Sequence, residues 1–383
     1  MKTVAVIFGG RSTEHDVSIV TALASIIKPL ELTKHYEVEA IYIAKDGSWY
    51  RGDKLEDIKL YQSGAIDGFL AKMPKVQLLF DGGLRLVRQG TFSAKARKID
   101  IVFPAMHGTH GEDGELMGLL EMANVPYVGC GFAASVIAMD KVLAKQVAQA
   151  NHIPTNKWVW LTAADFVGDR KKAMDSVKTL EYPLFVKPAH LGSSVGISKV
   201  KNDQELENAL EVAVHYDDKV IVEEAVPDLI EVTLPIIGND KPTPALLEQP
   251  LTKPEDFFDF DTKYMQGGKK GKGSAKGSQG YSQIPAGLPK DLYVKAEKVG
   301  LDVYRAIGCS GIARVDMLID SKAEEVYFNE VNPLPGGLYA HNWAKAGISN
   351  VELVTKLVEL AEERWENQQK LTTAFSTNYL KQF

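Results

Sequence analysis

The 383-residue chain is poor in cysteine: Cys130 and Cys309 are its two thiols, far apart in sequence. That scarcity leaves neither a disulfide framework nor a zinc cluster in prospect, and it suits a reducing cytoplasm. Basic charge is also short. The 44 Lys and Arg are outnumbered by 50 Asp and Glu, giving a net charge of −6, whereas a generic nucleic-acid binder carries the opposite excess. No apolar run reaches membrane-spanning length, and the opening run that ends at Phe8 is too short for a signal peptide and reads as a buried strand. Internal repeats, a G-x-G-x-x-G fingerprint and a G-x-x-x-x-G-K-[ST] loop are all missing, which sets aside repeat architectures, a dinucleotide site and a Walker loop. A chain of this length is expected to form two or three domains.

What the sequence does contain centres on two strand-like runs near the C-terminal end. Gly311-Ile312-Ala313-Arg314-Val315-Asp316-Met317-Leu318-Ile319-Asp320 is followed, after a short polar turn, by Val326-Tyr327-Phe328-Asn329-Glu330-Val331-Asn332. Glu330 and Asn332, two apart, share one face of a strand, and an antiparallel pairing brings Asp316 beside them. Hard oxygen ligands on one face, with Arg314 on the face of Asp316, describe a magnesium site for a phosphate-bearing substrate. The hairpin alone reads equally well as two ordinary amphipathic strands. The following Asn332-Pro333-Leu334-Pro335-Gly336-Gly337 is a turn that can present N–H groups to an oxyanion.

Upstream, residues 4–8 form an apolar run ending in Gly9-Gly10, the pattern of a first parallel strand opening into a ligand loop with Glu14 and His15. Capping of the next helix by acidic residues is the plainer account of that loop. Residues 38–43 and 99–104 read as further strands, and residues 45–98 as short strands and loops. His107-Gly108-Thr109-His110-Gly111-Glu112-Asp113-Gly114 invites a metal, yet its glycines suit backbone approach to a small ligand better. A helix follows over residues 116–123. Residues 128–131 read as the hand-over to a second domain, and Met139-Asp140-Lys141 opens a helix on which Lys141 is equally a solvated lysine.

Lys187 lies inside the apolar run of residues 183–188, before Gly192-Ser193-Ser194-Val195-Gly196; the loop offers donors to phosphates and the lysine a point charge. Residues 220–226 form a strand ending in Glu223 and Glu224, read on its own as an edge strand. The Gly-, Ser- and Lys-rich residues 265–283 suit a mobile lid over polyphosphate, although a plain linker has the same composition. Helices are expected over residues 290–307 and 350–368.

Taken in order, Gly9-Gly10-Arg11-Ser12-Thr13-Glu14-His15, His107-Gly108 with Gly111-Glu112-Asp113-Gly114, Met139-Asp140-Lys141, Lys187-Pro188 with Gly192-Ser193-Ser194-Val195-Gly196, Lys263-Tyr264, Arg314-Val315-Asp316 and Asn329-Glu330-Val331-Asn332 resemble the D-alanine–D-alanine ligase family of the ATP-grasp superfamily over nearly the whole chain. The resemblance implies an α/β (α+β) protein: an ATP-grasp fold preceded by a Rossmann-like pre-ATP-grasp domain. It divides the chain into residues 1–129, which hold substrate, residues 130–223, a central subdomain over the nucleotide, and residues 224–383, with the metal site and the mobile loop. It further implies ATP and two magnesium ions, with manganese as a substitute, and a cytoplasmic homodimer acting on D-alanine, with neither nucleic acid nor membrane as partner.

The same resemblance assigns roles. Asp316, Glu330 and Asn332 would hold metal. Lys141, Lys187 and Lys263 would meet phosphates, together with Ser193, Ser194 and Asn329, while Glu223, Glu224, Ala225 and Val226 would meet adenine. Arg314 and the Gly336 N–H would stabilise a tetrahedral oxyanion. Glu14, beside His107, would hold the first substrate's ammonium, and Glu14, Ser193 and Tyr264 would form a hydrogen-bonded triad. Tyr264 also implies an amino acid rather than D-lactate as second substrate. The chain departs from the family pattern where His341, followed by Asn342, replaces the serine that binds the second carboxylate. It departs again at Leu229, where a ribose-binding carboxylate is expected, and in a longer, more basic lid. The alternatives are an ATP-grasp ligase with a different second substrate, and a non-catalytic nucleotide-binding regulator, against which the intact metal-ligand set argues.

Overall fold

Lys2–Gly9 is buried at every position after its first residue, as expected of a strand covered on both faces. It pairs in parallel with Tyr36–Ile43 on one side and Ile101–Pro104 on the other, and Trp49–Arg51 closes the outer edge of Tyr36–Ile43 in antiparallel fashion. The strand must stop at Gly9, whose φ is +89° and where a Cβ would stand 2.2 Å from the Ile43 carbonyl oxygen. In this computed structural model residues 1–90, 96–192, 195–251 and 282–383 are described.

A helical stretch runs from His15–Val20 through a π-helical segment, Thr21–Ile27, into Lys28–Thr33. π-Segments recur at functional sites, and this one carries Thr21. The expected strand over residues 99–104 is split. Ile101–Pro104 joins the parallel sheet, whereas Arg97–Ile99 joins a small antiparallel sheet with Leu84–Arg88 and Val76–Phe80. Asp100 makes the step between them, its carboxylate accepting from the Thr3 N–H at 2.9 Å. Residues 45–98 hold two short helices as well as strands, Ile58–Gln62 and Ile66–Leu70.

The central sheet has the order Ser198–Val200, Leu184–Pro188, Lys219–Glu224, Trp158–Thr162, antiparallel throughout. Lys219–Glu224 is therefore an interior strand, and the edge-strand expectation is corrected: its backbone is paired on both sides, and its apolar residues are buried because both sheet faces are covered. Leu184 and Val186 face a core with Ala163–Gly168, Arg170–Val177 and Asp203–Tyr216, which turns Phe185 and Lys187 to the opposite face.

The third sheet runs Thr243–Pro244, Leu229–Gly238, Gly311–Asp320, Glu325–Asn332. Val315, Met317 and Ile319 are buried on one face against helix Lys290–Ile307, each contributing about 1.5–3 kcal/mol. The strict alternation places Arg314 and Asp316 on the other face. Asn350–Gln369, capped by a Ser349–Glu352 capping box, sends Leu353, Leu357 and Val358 into the same core as Val4, Val6 and Phe8. Among the described residues no helix is long and apolar enough to cross a membrane.

Candidate active site

The pairing register builds the centre of the site. Asp316 stands opposite Glu330 and Arg314 opposite Asn332, with a register shift between Asp316 and Met317. Across the next strand Thr233 stands opposite Asp316, and Glu248 pairs with Thr233 in an isolated bridge. One cross-strand row on one sheet face thus carries Glu248, Thr233, Asp316 and Glu330. Arg314 donates from Nε and Nη2 to the two oxygens of Asp316, at 2.7 and 2.5 Å. Burial opposes the Arg314 charge, but Asp316 and Glu330 hold it firmly protonated. The Asn332 Oδ1 accepts from the Leu334 N–H at 3.2 Å, which pins the start of the following turn. Two carboxylates and an amide oxygen on adjacent strands fit a hard divalent cation such as magnesium.

The lysines converge from the central region. Lys141 begins a helix capped by Asp140, whose carboxylate accepts from the Val142 and Leu143 N–H groups. Far from being solvated, Lys141 is buried, donates to the Leu191 carbonyl at 2.6 Å and lies 3.6 Å from Glu330. Lys187 sits 2.5 Å from Glu223 and 3.3 Å from the Asn329 Oδ1, so it bridges the central and C-terminal sheets. Glu223 is itself buried, and a second cation faces it: Lys145, fully enclosed, lies 2.7 Å from Glu223 and donates to the Asn156 Oδ1 at 2.6 Å. Burial works against the Glu223 charge, yet the two lysines pull its carboxyl down to about 2. Its carboxylate therefore serves to hold lysines.

Beyond it, the Glu224 N–H donates to the Lys157 carbonyl, its own carbonyl accepts from Asn156, and its carboxylate accepts from the Glu181 N–H. The Ala225 N–H donates to the Pro183 carbonyl, and Val226 is buried. Glu231 shares a strand face with Thr233, and Lys187 feels its charge. It brings a carboxylate to the face where Leu229 offers none.

At the N-terminal strand ends, Glu14 is buried with its carboxylate turned toward Gly108 and Gly192: a Cβ on either would come within 2.8 and 3.3 Å of Oε2. His15 is a structural clamp, with Nδ1 on the Gly10 carbonyl and Nε2 on the Tyr42 hydroxyl. His107 is buried too; Thr21 Oγ1 lies 2.9 Å from its Nε2, and Glu112 faces its other nitrogen at 3.8 Å. Burial alone would lower the His107 pKa, but Glu112 and Glu14 raise it above its ordinary value. Thr21 Oγ1 also accepts from the Gly337 N–H at 3.1 Å, tying the surroundings of His107 to the C-terminal turn.

That turn is unusual. Gly337, Leu338 and Tyr339 are all left-handed, with φ of 59°, 54° and 51°, at a cost of about 1–2 kcal/mol for each non-glycine. It leaves Gly336 exposed and buries Leu338. Tyr339 covers Arg314, with Cζ 5.1 Å from the ring centroid. His341 contacts Glu248 at 2.9 Å, and Asn342 is fully buried with its amide shared among the Leu246 N–H, the Leu246 carbonyl and Glu248. Ser193, Ser194, Lys263, Tyr264 and nearly all of residues 265–283 lie outside the described residues.

Lys145, Thr21, Glu231, Glu248 and Tyr339 escaped the sequence reading. A signal existed for Lys145, four residues after Lys141 and so on the same helical face; for Glu231, strand alternation with Thr233 was the clue. Glu248 has no local signal.

Lys187 on the central antiparallel sheet and Lys141 at the start of a helix, both facing the strand that carries Asn329 and Glu330, are the arrangement of an ATP-grasp ligase. Family models described as "D-ala D-ala ligase N-terminus" and "D-ala D-ala ligase C-terminus" match residues 3–130 and 147–359. The D-alanine–D-alanine ligase of Acetivibrio thermocellus is 36% identical, with 96% of this chain and 98% of the relative covered, and that of Chlorobium phaeovibrioides is 38% identical, with 94% and 97% covered. The solved D-alanine–D-alanine ligase of Coxiella burnetii superposes with a TM-score of 0.78 at 29% identity, covering 96% of each chain. The VanG D-Ala:D-Ser ligase of Enterococcus faecalis gives 0.77 at 30% identity, covering 94% of this chain and 99% of that one. The chain belongs to the D-alanine–D-alanine ligase family.

Proposed function

We propose that the chain joins two D-alanine molecules into D-alanyl-D-alanine, a peptidoglycan precursor, with ATP as the phosphoryl donor. The observation that carries this reading is the register that sets Asp316 against Glu330 and Arg314 against Asn332, within reach of Lys141 and Lys187. Glu14 and His107 hold and orient the first D-alanine so that its carboxylate meets the γ-phosphate. Lys141 and Lys187 neutralise phosphate oxygens, Glu223 and Lys145 keep Lys187 in place, and Glu231 offers an acceptor for sugar hydroxyls. Magnesium, held by Asp316, Glu330 and Asn332, would offset the repulsion between the carboxylate and the polyphosphate. The carboxylate oxygen bonds to the γ-phosphorus and ADP leaves, giving an acyl phosphate. The second D-alanine's amine then attacks its carbonyl carbon and gives up a proton, and the oxyanion that develops faces the Arg314 guanidinium and the Gly336 N–H. Phosphate leaves, and the amide bond is formed.

In this reading residues 1–129 bind the first amino acid, residues 130–223 cover the nucleotide, and residues 224–383 provide metal ligands and oxyanion donors. A cytoplasmic homodimer belongs to the same proposal; two free, buried cysteines suit a reducing compartment, and sedimentation tests the dimer. The decisive assay supplies ATP, magnesium and D-alanine and measures phosphate together with dipeptide. Both are expected in equal amounts. D-Serine and D-lactate in parallel reactions test the alternative second substrates, and a reaction that runs with either but not with D-alanine alone replaces the proposal.

A further inference from the structure

Four groups form one stack beside the reacting centre. Arg314 lies 5.1 Å from the Tyr339 ring centroid; the Tyr339 and His341 rings are 5.1 Å apart at 41°; and His341 ends on the Glu248 carboxylate at 2.9 Å. Glu248 is anchored in turn, since its N–H and carbonyl both pair with Thr233 at 2.9 Å. The Tyr339 phenol lies close enough to Arg314, Asp316 and Glu248 for their charges to act on it. Tyr339 holds the ring there from a left-handed backbone, φ 51°, a strained conformation that persists only where the surroundings over-determine it.

We propose that Tyr339 is a specificity-determining residue: its ring is the wall of the subsite for the incoming amino acid, and Glu248, acting through His341, is the positioning residue that holds the ring against Arg314. The inference deepens the ligase reading and rests on it. The amine must approach the carbonyl that Arg314 faces, so whatever covers Arg314 limits the space for the nucleophile's side chain. An aromatic ring clamped between a guanidinium and an imidazole cannot swing away without losing both contacts. The wall therefore admits a methyl group and rejects longer side chains. Its discriminating element is the ring and not the hydroxyl.

The test supplies ATP, magnesium and D-alanine with one further D-amino acid at a time, D-serine, D-2-aminobutyrate or D-methionine, and quantifies the mixed dipeptides by mass spectrometry. In Tyr339→Ala the ratio of D-alanyl-D-methionine to D-alanyl-D-alanine is expected to rise by about tenfold or more. The KM of the second D-alanine should rise while the KM values of ATP and of the first D-alanine stay put. Tyr339→Phe should keep the wild-type product ratios, and Tyr339→Leu replaces the alanine variant if that one does not fold. Glu248→Gln should shift the ratios the same way by less. An active wild type whose product ratios are unchanged in Tyr339→Ala overturns the proposal, as does a variant in which all three KM values move together. A wild type that forms no dipeptide from D-alanine overturns the ligase reading first, and this inference with it.

Discussion

The two regions that the proposed reaction assigns to the nucleotide and to the incoming nucleophile are built in opposite ways. On the first, Lys145, Glu223 and Lys187 form a buried alternation of charge, with Lys145 fully enclosed and Glu223 1% exposed. On the second, Tyr339 and His341 are half-buried, held by ring contacts and the contact of His341 with Glu248 on a turn of left-handed backbone. A buried ion triad tolerates no rearrangement, because any displaced charge loses its partner in a medium that cannot solvate it. Such rigidity suits polyphosphate, the part of the chemistry that is always the same. A stacked turn depends on dispersion and backbone strain, which respond gradually to substitution, and that suits the place where one amino acid must be told from another.

Three changes sharpen this contrast. Arg314→Met should lower kcat by about 10²–10³-fold in steady-state assays while leaving the KM of ATP unchanged, since it removes an oxyanion donor and no phosphate contact. Lys145→Met should cost about 3 kcal/mol in urea unfolding, because Glu223 loses one of its two cations where water cannot replace it, and the KM of ATP should rise as Lys187 shifts. Equal behaviour of Lys145→Met and wild type would break the comparison on the nucleotide side. Glu248→Gln is gentler: weakening the contact with a partly exposed His341 should raise the second-site KM by about tenfold or less, with the first-site KM unmoved.

The smallest effect is expected at His190, beside the Asp140 cap of the helix that begins with Lys141. Its ring bridges Asp140 at 3.3 Å and Asp217 at 2.9 Å, and these carboxylates, against the pull of burial, lift its pKa to about 9. A folded-state value raised above the ordinary 6.5 means that the bridge stabilises fully below about pH 6.5 and is lost as pH rises through 9. The urea-midpoint gap between wild type and His190→Asn should therefore close between those limits. A gap that persists above pH 9.5 would show that the ring acts through packing instead. The half-exposed position keeps the effect modest.

How much of this was legible beforehand differs from residue to residue. Asp316, Glu330 and Asn332 could be placed together because two alternating runs joined by a short turn leave one antiparallel register, and a strand's period of two fixes the face. The bounds of Lys290–Ile307 were visible for a similar reason, a long amphipathic pattern ending at Gly308. Lys219–Glu224 was misjudged as an edge because acids at a strand end look solvated in one dimension, while Glu223 in fact turns inward between two lysines. Residues 99–104 looked like one strand because nothing local marks Asp100 as the crossing from one sheet to another. Leu229 holds no carboxylate where the family pattern expects one, and only the strand Leu229–Gly238 shows that Glu231, two residues on, lies on the same face.

By itself, then, the amino-acid order determined the superfamily and the shared strand face of Asp316, Glu330 and Asn332, since each depends on short-range periodicity or on contiguous motifs. Only the folded chain could decide that Glu248 meets His341, that Thr21 joins His107 to Gly337, and that Tyr339 lies over Arg314. Those contacts join segments brought together by sheet pairing and core packing. Their energies depend on distance and enclosure, which a one-dimensional string does not carry.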